Sequence, residues 1–341
     1  MRVGIIGTGT ISRKHAQAYR NIGYAVVACS SLDPARGREF ADQHGCELVQ
    51  DWQELCRLPQ VDFVDVCAFP AFRLGAVELC ALTKKHIQVE KPIATNLETA
   101  KRMVETAHAG GILLNVVSQH RFDESTQFLK RAIDSGRLGK LLQADAYVKW
   151  YRPPEYYSRP FKGSWATEGG GALINQAIHQ LDLLLWLAGP AVRVHGEWQL
   201  GAVHQIESED MVSAILRYTS GAIGVIQAST AFRPGYPERI EIHGTKGTAI
   251  IEGDKLTTWD VNDDRGERPP IASEIASGAS DPMAISLAPF ERQFLDFGEA
   301  IRMGRPPLVS GEQGYRALEL VEAIYCSCRE GRPILCKAST V

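Results

Sequence analysis

The sequence has no long apolar run and no excess of charge of one sign. A helix needs roughly 20 apolar residues to cross a bilayer, and no segment approaches that length. Met1-Arg2 leads directly into a short apolar segment, without a signal-peptide core. The formal net charge is −3, and no basic stripe suits a nucleic-acid backbone. We therefore expect a cytoplasmic protein with no membrane or nucleic-acid partner.

Cysteine motifs for metal binding or redox chemistry are also absent. The eight cysteines are scattered, and several lie in apolar segments, where a thiol behaves as a small hydrophobic group. One residue separates Cys326 from Cys328, which is neither zinc-finger nor thioredoxin spacing. We expect reduced cysteines and no metal site.

The composition is that of an ordinary globular protein. Of the 341 residues, 45% are hydrophobic and 23% are charged, which excludes a disordered or fibrous chain. A chain of this length is expected to form two domains. The pattern of predicted elements changes near residue 120, so we expect domains at residues 1–120 and 121–341.

The first domain alternates short β-branched segments with segments of helical spacing. This alternation indicates repeated βαβ units, and it predicts a doubly wound parallel sheet with helices on both faces. The predicted strands are 2–6, 25–29, 61–67, 87–90 and 112–117, and the predicted helices are 12–21, 34–44, 71–84 and 97–109.

The second domain is predicted to be α+β, with a large, mostly antiparallel sheet. Turn signals at 219–221 and 244–247 join neighbouring strand segments as hairpins. The predicted strands are 141–151, 192–199, 211–218, 222–230, 239–243 and 248–252. Helices are predicted at 124–135, from the glycines 169–171 onward, at 289–303 and at 311–330, and an irregular loop at 262–287.

The turn after the first predicted strand contains Gly7-Thr8-Gly9 and leads into a helix. Glycines at such a turn let the backbone amides of the helix N-terminus approach a pyrophosphate, whose charge the helix dipole stabilises. Ser12 replaces the third glycine of the usual spacing. The position of the motif predicts dinucleotide binding by Gly7, Thr8, Gly9, Thr10 and Ile11.

The second predicted strand leads into Ser30 and Ser31, where an NAD-binding fold usually offers a carboxylate to the ribose. A carboxylate would repel the 2′-phosphate of NADP, whereas hydroxyl groups do not. Asp33 is an alternative ribose contact. The sequence therefore leaves NAD and NADP open, with a slight preference for NADP. A counter-charge for the phosphate would come from Arg13, Arg36 or Arg38.

Lys91 follows a predicted buried strand in the sequence Glu90-Lys91-Pro92. Ligands of open α/β sheets bind at the carboxyl ends of the strands. A lysine placed there can accept the proton of a substrate hydroxyl, if its pKa falls from about 10.4 towards neutrality. Alternatively it stays charged and stabilises the alkoxide while a histidine takes the proton. A solvated lysine before a turn proline is the third interpretation.

Asn175, His179 and Asp182 have the spacing i, i+4 and i+7, which on a regular helix places them on one stripe. Unpaired polar groups cost about 1 to 3 kcal/mol each when buried. The stripe is therefore either a satisfied structural network or the wall of a site. With an ordinary pKa near 6.5, His179 is the candidate proton acceptor.

The segment 150–165 is rich in aromatic and basic residues. Aromatic rings pack on the C–H faces of sugars, and basic side chains bind carboxylates and phosphates. The same composition also suits a packed interface loop. If the segment lines a site, its candidate substrate contacts are Arg152, Tyr156 and Trp165.

Together, the glycine turn, the Glu90-Lys91-Pro92 segment and the triple-glycine helix with Asn175 and His179 resemble the glucose-fructose oxidoreductase/inositol dehydrogenase/rhizopine catabolism (Gfo/Idh/MocA) family over nearly the whole chain. The resemblance implies an N-terminal Rossmann domain and a C-terminal sheet that joins homodimers or homotetramers. It implies NAD(P)-dependent hydride transfer at a secondary hydroxyl of a sugar, sugar acid, nucleotide sugar or cyclitol. A nicotinamide-dependent glycosidase and a nucleotide-binding sensor are the alternatives.

By this resemblance, Lys91 and His179 are the catalytic lysine and histidine. Asn175 falls where many members have an aspartate, and it would orient the substrate. Asparagine there, with a tyrosine-rich loop, is similar to the branch that acts on nucleotide-linked N-acetylglucosaminuronate. Arg73 replaces a usual histidine and Lys84 a usual glycine, and we expect neither to touch the chemistry. The other implied contacts are Ser30, Ser31, Ala68, Phe69, Pro70, Glu90, Lys91 and Gln119 with the cofactor, and Lys91, Arg121 and His179 with the substrate.

Overall fold

The computed structural model describes residues 1–159, 161–262 and 286–336. The predicted loop 262–287 therefore lies almost entirely outside the described residues. The chain forms two compact units. The first comprises Met1–Gln119 and Leu287–Tyr315, and the second comprises His120–Ser286 and Arg316–Thr340.

A six-stranded sheet forms the centre of the first unit, and all its strand pairs are parallel. The strands are β1 Arg2–Ile6, β2 Ala25–Ser30, β3 Glu47–Leu48, β4 Phe63–Val66, β5 His86–Val89 and β6 Leu114–Val116. Their order is β3-β2-β1-β4-β5-β6. From β1 the strand order continues to one side through β2 and β3 and to the other side through β4, β5 and β6. The boundary between β1 and β4 is therefore the topological switch point of a Rossmann fold.

The second unit contains an eight-stranded sheet with the order β13-β12-β11-β7-β10-β9-β8-β14. Its strand pairs are antiparallel except for β7 with β10. The strands are β7 Leu141–Lys149, β8 Ala191–Leu200, β9 Glu209–Tyr218, β10 Ile223–Ser229, β11 Arg239–Gly244, β12 Gly247–Glu252, β13 Lys255–Val261 and β14 Ile334–Leu335. The two sheets confirm the predicted fold class.

The helices are α1 Thr10–Asn21, α2 Pro34–His44, α3 Trp52–Leu55, α4 Arg73–Thr83, α5 Leu97–Gly110, α6 Glu124–Asp134, α7 Pro154–Tyr157, α8 Trp165–Glu168, α9 Ile178–Ala188, α10 Ala288–Met303 and α11 Gly311–Glu330. Among the described residues, none is both long and apolar enough to span a bilayer.

The sequence analysis missed several short elements and β13. Elements of two to four residues, such as β3 and α3, leave no periodic signal. β13 lies at the edge of its sheet, and Leu256 is its only fully buried side chain. An edge strand with a single buried residue lacks the alternation by which strands are recognised.

The helix predicted after the triple glycine is not regular. A π-helical turn spans Leu173–Ala177, and α9 begins only at Ile178. The π-turn contains Asn175, and His179 lies in α9, so the placement of both side chains on one stripe stays a prediction. π-Turns inside helices are found frequently at functional sites.

Lys84 ends α4 in the left-handed conformation, with φ +58°. This conformation explains why glycine is usual at the position, because glycine adopts it without a steric penalty. The Lys84 ammonium group donates to the carbonyl of Gly110 at 2.9 Å. Lys84 therefore differs from the family pattern at a position that caps the C-terminus of α4.

Candidate active site

The carboxyl ends of β1, β4 and β5 are neighbours in the first sheet. The predicted cofactor segments that follow these strands therefore lie side by side. Gly7 has φ +95°, and a Cβ atom there would lie 3.0 Å from the backbone nitrogen of Ala68. Both the positive φ and the close contact with the segment after β4 therefore require glycine at position 7.

The N-terminus of α1 fits a pyrophosphate. Gly9 is its N-cap residue and supplies no side-chain hydrogen bond to the first turn. Among the described residues, none apart from Gly9 and its two chain neighbours has an atom within 4 Å of the position that a Gly9 Cβ would occupy. Ser12, at the third-glycine position, turns its hydroxyl to the carbonyl of Gly9 at 2.7 Å. The backbone amides of Thr10 and Ile11 thus stand at an open helix N-terminus, which favours an anion.

At the end of β2 the structure brings two predicted cofactor residues together, since the Thr8 hydroxyl donates to the Ser31 hydroxyl at 2.7 Å. Ser30 is buried. The carboxylate of Asp33 instead caps α2, accepting from the backbone amides of Ala35 and Arg36 at 3.0 and 3.2 Å. The end of β2 therefore presents a hydroxyl, while the nearby carboxylate stabilises a helix.

A buried hydrogen-bonded chain lies beneath Lys91. His15 contacts Asp65 through Nδ1 at 2.8 Å and Glu90 through Nε2 at 3.1 Å. Burial lowers the pKa of His15, but Cys67 and Asp65 favour the charged form and raise this pKa well above its ordinary value. The second carboxylate oxygen of Glu90 accepts the backbone N–H of Lys91 at 3.0 Å. The chain therefore ends on the candidate catalytic lysine.

The sequence analysis did not identify His15 or Asp65. A signal was present, because Asp65 lies in β4 between apolar residues, and all four residues of that strand are buried. A buried carboxylate requires a partner. The partner, His15, is 50 residues away in sequence, so the signal indicates a network without naming its members.

Glu209 fixes the backbone of the triple-glycine segment in the second unit. Its carboxylate accepts from the amides of Gly171 and Leu173 and from the hydroxyl of Tyr325, each at 2.8 Å. A Cβ atom on Gly171 would lie 1.8 Å from the backbone oxygen of Glu209. Burial raises the pKa of Glu209 to about 7, although the three donors oppose this shift. Neither Glu209 nor Tyr325 was predicted.

Asn175 and His179 lie on either side of the junction between the π-turn and α9. The Asn175 amide donates to the carbonyl of Gly170 at 3.1 Å. The His179 ring, 8% exposed, meets His120 edge to face with centroids 5.1 Å apart. Burial lowers the pKa of His120, but Asp123, at 2.7 Å, outweighs it and the pKa is raised. A histidine whose pKa is raised by a neighbouring carboxylate thus packs beside His179.

The loop before α8 gathers around Tyr156. The Arg152 guanidinium lies 4.8 Å from the ring of Trp150 and 5.7 Å from that of Tyr156. The Lys162 ammonium lies 4.8 Å from the Tyr156 ring and pairs with Glu168 at 2.5 Å. Gln176 donates to the Tyr156 hydroxyl at 3.2 Å, which joins the loop to the π-turn. The loop is thus built against the segment that carries Asn175.

Two other predicted substrate contacts have structural partners. Arg121 is buried and forms a double hydrogen bond with Asp182, at 2.7 and 2.6 Å. Trp165 packs against Trp198 and Tyr325 with ring centroids 5.8 and 5.2 Å apart. Their roles toward a substrate remain predictions.

The structure thus collects the predicted residues into two groups, one in each unit. The first unit holds, at the carboxyl edge of its sheet, Gly7, Thr8, Gly9, Thr10, Ile11, Ser30, Ser31, Ala68, Phe69, Pro70, Glu90, Lys91 and Gln119. The second unit holds Arg121, Arg152, Tyr156, Trp165, Asn175 and His179. Convergence of Lys91 and His179 on one substrate remains a prediction.

Comparison with known proteins places this geometry in a family. Residues 1–117 match the oxidoreductase family with an NAD-binding Rossmann fold, and residues 126–250 match the GFO/IDH/MocA C-terminal domain. Over 347 residues the chain is 30% identical to myo-inositol 2-dehydrogenase of Thermotoga maritima, with 98% of each chain covered. The chain belongs to the Gfo/Idh/MocA family of NAD-binding oxidoreductases.

Other members have the same architecture. The WlbA dehydrogenase of Bordetella pertussis, solved in complex with NADH and UDP-GlcNAcA, is 28% identical, with 99% of each chain covered and a TM-score of 0.87. Inositol 2-dehydrogenase of Rhizobium meliloti is 27% identical, with 98% of each chain covered. These relatives are dehydrogenases, which supports the oxidoreductase interpretation over the glycosidase and the sensor.

The raised pKa of Glu209 predicts a pH-dependent stability. The folded protein holds the Glu209 proton more tightly than the unfolded chain, with pKa values of about 7 and 4.5. The stability contribution is therefore full below pH 4.5 and is lost as the pH rises through 7, by about 3 kcal/mol. Between pH 4 and pH 8, the free energy of unfolding of the wild type should fall by this much more than that of Glu209→Gln, as measured by urea denaturation. Glu207→Gln is the control, and parallel curves for wild type and Glu209→Gln would contradict the assignment.

Proposed function

We propose that this enzyme transfers a hydride between nicotinamide and a secondary hydroxyl of a sugar, sugar acid, nucleotide sugar or cyclitol, with Lys91 and His179 managing the hydroxyl proton. One observation carries the proposal. Lys91 stands at the carboxyl end of β5, two strands from the glycine turn, with its backbone N–H held by a buried carboxylate. A lysine fixed at that edge is suited to act on a group bound beside the nucleotide.

The bound nicotinamide supplies the hydride acceptor or donor. The Lys91 side chain hydrogen-bonds the reacting hydroxyl, and it either takes the proton or stabilises the alkoxide while His179 takes it. The His120 ring packs edge to face on His179, with ring centroids 5.1 Å apart, and helps to orient the imidazole that is proposed to take the proton. Asn175, held by Gly170, orients the substrate ring.

The substrate class follows from the relatives and is tested directly. The relatives include inositol dehydrogenases, a D-apiose dehydrogenase of Paraburkholderia graminis and a dehydrogenase solved with a nucleotide-linked sugar acid. Myo-inositol, D-apiose and UDP-GlcNAcA therefore form the first panel, each assayed with NAD⁺ and NADP⁺ by the absorbance of the reduced nicotinamide. Turnover of at least one member supports the proposal, and turnover of none contradicts it.

Lys91→Met should abolish most turnover while preserving cofactor binding, because the variant keeps the backbone that Glu90 holds and loses only the amine. General acid–base groups typically contribute about 10²- to 10⁴-fold to the rate. We expect a loss of kcat in this range. The Kd for the nicotinamide cofactor should change by less than about threefold, which corresponds to a binding free energy of about 0.7 kcal/mol. Lys85→Met, which removes a lysine whose amine binds the Val61 carbonyl, is the control. Undiminished kcat in Lys91→Met would remove Lys91 from the mechanism.

We propose further that the enzyme accepts NADP as well as NAD. Ser31 presents a hydroxyl where a carboxylate would repel the 2′-phosphate, and Asp33 is occupied with α2. Of the three arginines predicted as counter-charges, Arg13 pairs with Glu39 and Arg36 pairs with Asp33, and a role for Arg38 stays a prediction. The proposal therefore rests on the missing carboxylate.

Ser31→Asp should raise the ratio of the Kd for NADP⁺ to the Kd for NAD⁺ by about tenfold or more, since a new charge repulsion of about 1.4 kcal/mol corresponds to tenfold. Ser31→Asn has nearly the same shape without the charge and should leave the ratio unchanged. Fluorescence titration at fixed ionic strength measures both constants. A wild-type enzyme that binds NADP⁺ more than about 100-fold weaker than NAD⁺, a gap near 2.7 kcal/mol, would contradict the proposal.

We also propose a cytoplasmic homodimer or homotetramer joined through the sheet of the second unit. Ile215 on β9 and Ile223 on β10 are 59% and 43% exposed. The strand register places both on the same face, since Ile215 pairs with Val225 and side chains two apart share a face. Exposed apolar residues on one sheet face favour an interface, and sedimentation equilibrium measures the mass.

A further inference from the structure

Arg73, which we expect not to touch the chemistry itself, contacts the backbone of the turn that carries Lys91. It is the first residue of α4 and is 3% exposed. Its Nε donates to the carbonyl of Ala68 at 2.9 Å, and its Nη1 donates to the carbonyls of Glu90 and Pro92. One guanidinium therefore joins the segment after β4 to both residues that flank Lys91.

The two carbonyls lie beyond the end of the sheet. The last backbone hydrogen bonds of β5 and its extension run from Glu90 N–H to Val66 O at 3.1 Å and from Val117 N–H to Val89 O at 2.9 Å. The Glu90 and Pro92 carbonyls come after these last hydrogen bonds between strands, and both residues are buried. Buried carbonyls require donors, and Arg73 supplies them.

Lys91 is consequently held from both sides. Its own N–H donates to the Glu90 carboxylate, whose other oxygen contacts His15. The carbonyl before it and the carbonyl after it are both bound by Arg73. Two of these three hydrogen bonds hold the Glu90–Lys91 peptide, and the third holds the carbonyl of Pro92. The residue between them bears the amine that acts on the reacting hydroxyl in the proposed mechanism.

The Arg73 cation is stable in this position. Burial lowers its pKa to about 10, against the opposing effect of Glu90, so the group stays charged at neutral pH. A shorter or single-donor side chain could not reach all three carbonyls, because only the guanidinium presents several donors in a fixed fork. Arg73, at a position where the resemblance leads us to expect histidine, thus supplies donors to all three carbonyls.

We propose that Arg73 is a positioning residue for Lys91, one that acts through the backbone on both sides of the lysine. The proposal rests on the proposed role of Lys91. A displacement of about 1 Å at a reacting group can cost about 10²-fold in rate without weakening binding. Arg73 should therefore affect kcat and leave the affinity for substrate and cofactor nearly intact.

The test uses Arg73→Met, Arg73→Lys and the control Arg305→Met, which removes an arginine that binds Asp296 in the same unit. In hydrogen exchange of the protein without ligands, Arg73→Met should speed exchange at the Lys91 amide by about tenfold or more, as expected for a loosened local structure. Exchange in β1 should stay unchanged, and Arg305→Met should match the wild type at both places.

The kinetic arm uses the panel compound that the wild type oxidises. Arg73→Met should lower kcat by about 10- to 100-fold, with the KM for that compound and the Kd for the cofactor within about threefold. Arg73→Lys, which keeps the charge and restores part of the donor set, should recover part of the kcat. A purely structural role would lower thermal stability while leaving kcat per folded molecule unchanged.

The outcomes separate the two proposals. If Arg73→Met has the same exchange rate at the Lys91 amide and the same kcat as Arg305→Met, the proposed role of Arg73 is overturned. If Arg73→Met does not fold, Arg73→Lys decides, since an unchanged exchange rate and kcat in that folded variant would equally overturn the role. Full activity of Lys91→Met would instead overturn the proposed function, and the exchange measurement would still report whether Arg73 holds the turn.

Discussion

The hydrogen-bonded chain from Asp65 through His15 to Glu90 is the constraint on which the first unit's site depends. It links β4, α1 and the end of β5, so the helix that begins at the nucleotide turn and the strand that ends at Lys91 keep a fixed relation. Charged groups in such a place must all be paired, because loss of one partner from a buried ion pair costs about 3 to 5 kcal/mol. The network therefore fixes the position of Lys91, and removal of any one of its members is expected to lower the free energy of unfolding.

The two units hold their candidate catalytic segments by the same physical device. In each, a buried carboxylate accepts backbone N–H groups beside the functional residue: Glu90 binds the amide of Lys91, and Glu209 binds those of Gly171 and Leu173. Backbone anchoring fixes the main chain at Lys91 and in the segment that leads to Asn175. In the second unit the same close approach requires Gly171, since a Cβ atom there would lie 1.8 Å from the backbone oxygen of Glu209.

Local sequence patterns predicted the parallel sheet, the glycine turn and most helices, because each depends on neighbouring residues. The unpredicted contacts of the site depend on residues far apart in the chain. Glu209 meets Tyr325 across 116 positions, and Arg73 reaches Pro92 only through the fold. The π-turn at 173–177 is of the same kind, because a regular helical spacing gives no sign of it. Lys84 shows the converse, since its left-handed φ follows from its place at a helix end.

A crystal structure of the enzyme with a nicotinamide cofactor and an oxidisable panel compound tests the account most directly. The account predicts that the Lys91 amine and a ring nitrogen of His179 both lie within about 3.2 Å of the same substrate oxygen, the reach that proton transfer requires. It is contradicted if that oxygen is bound by neither group, or if the carbon to be oxidised faces a side of the nicotinamide that Lys91 does not approach.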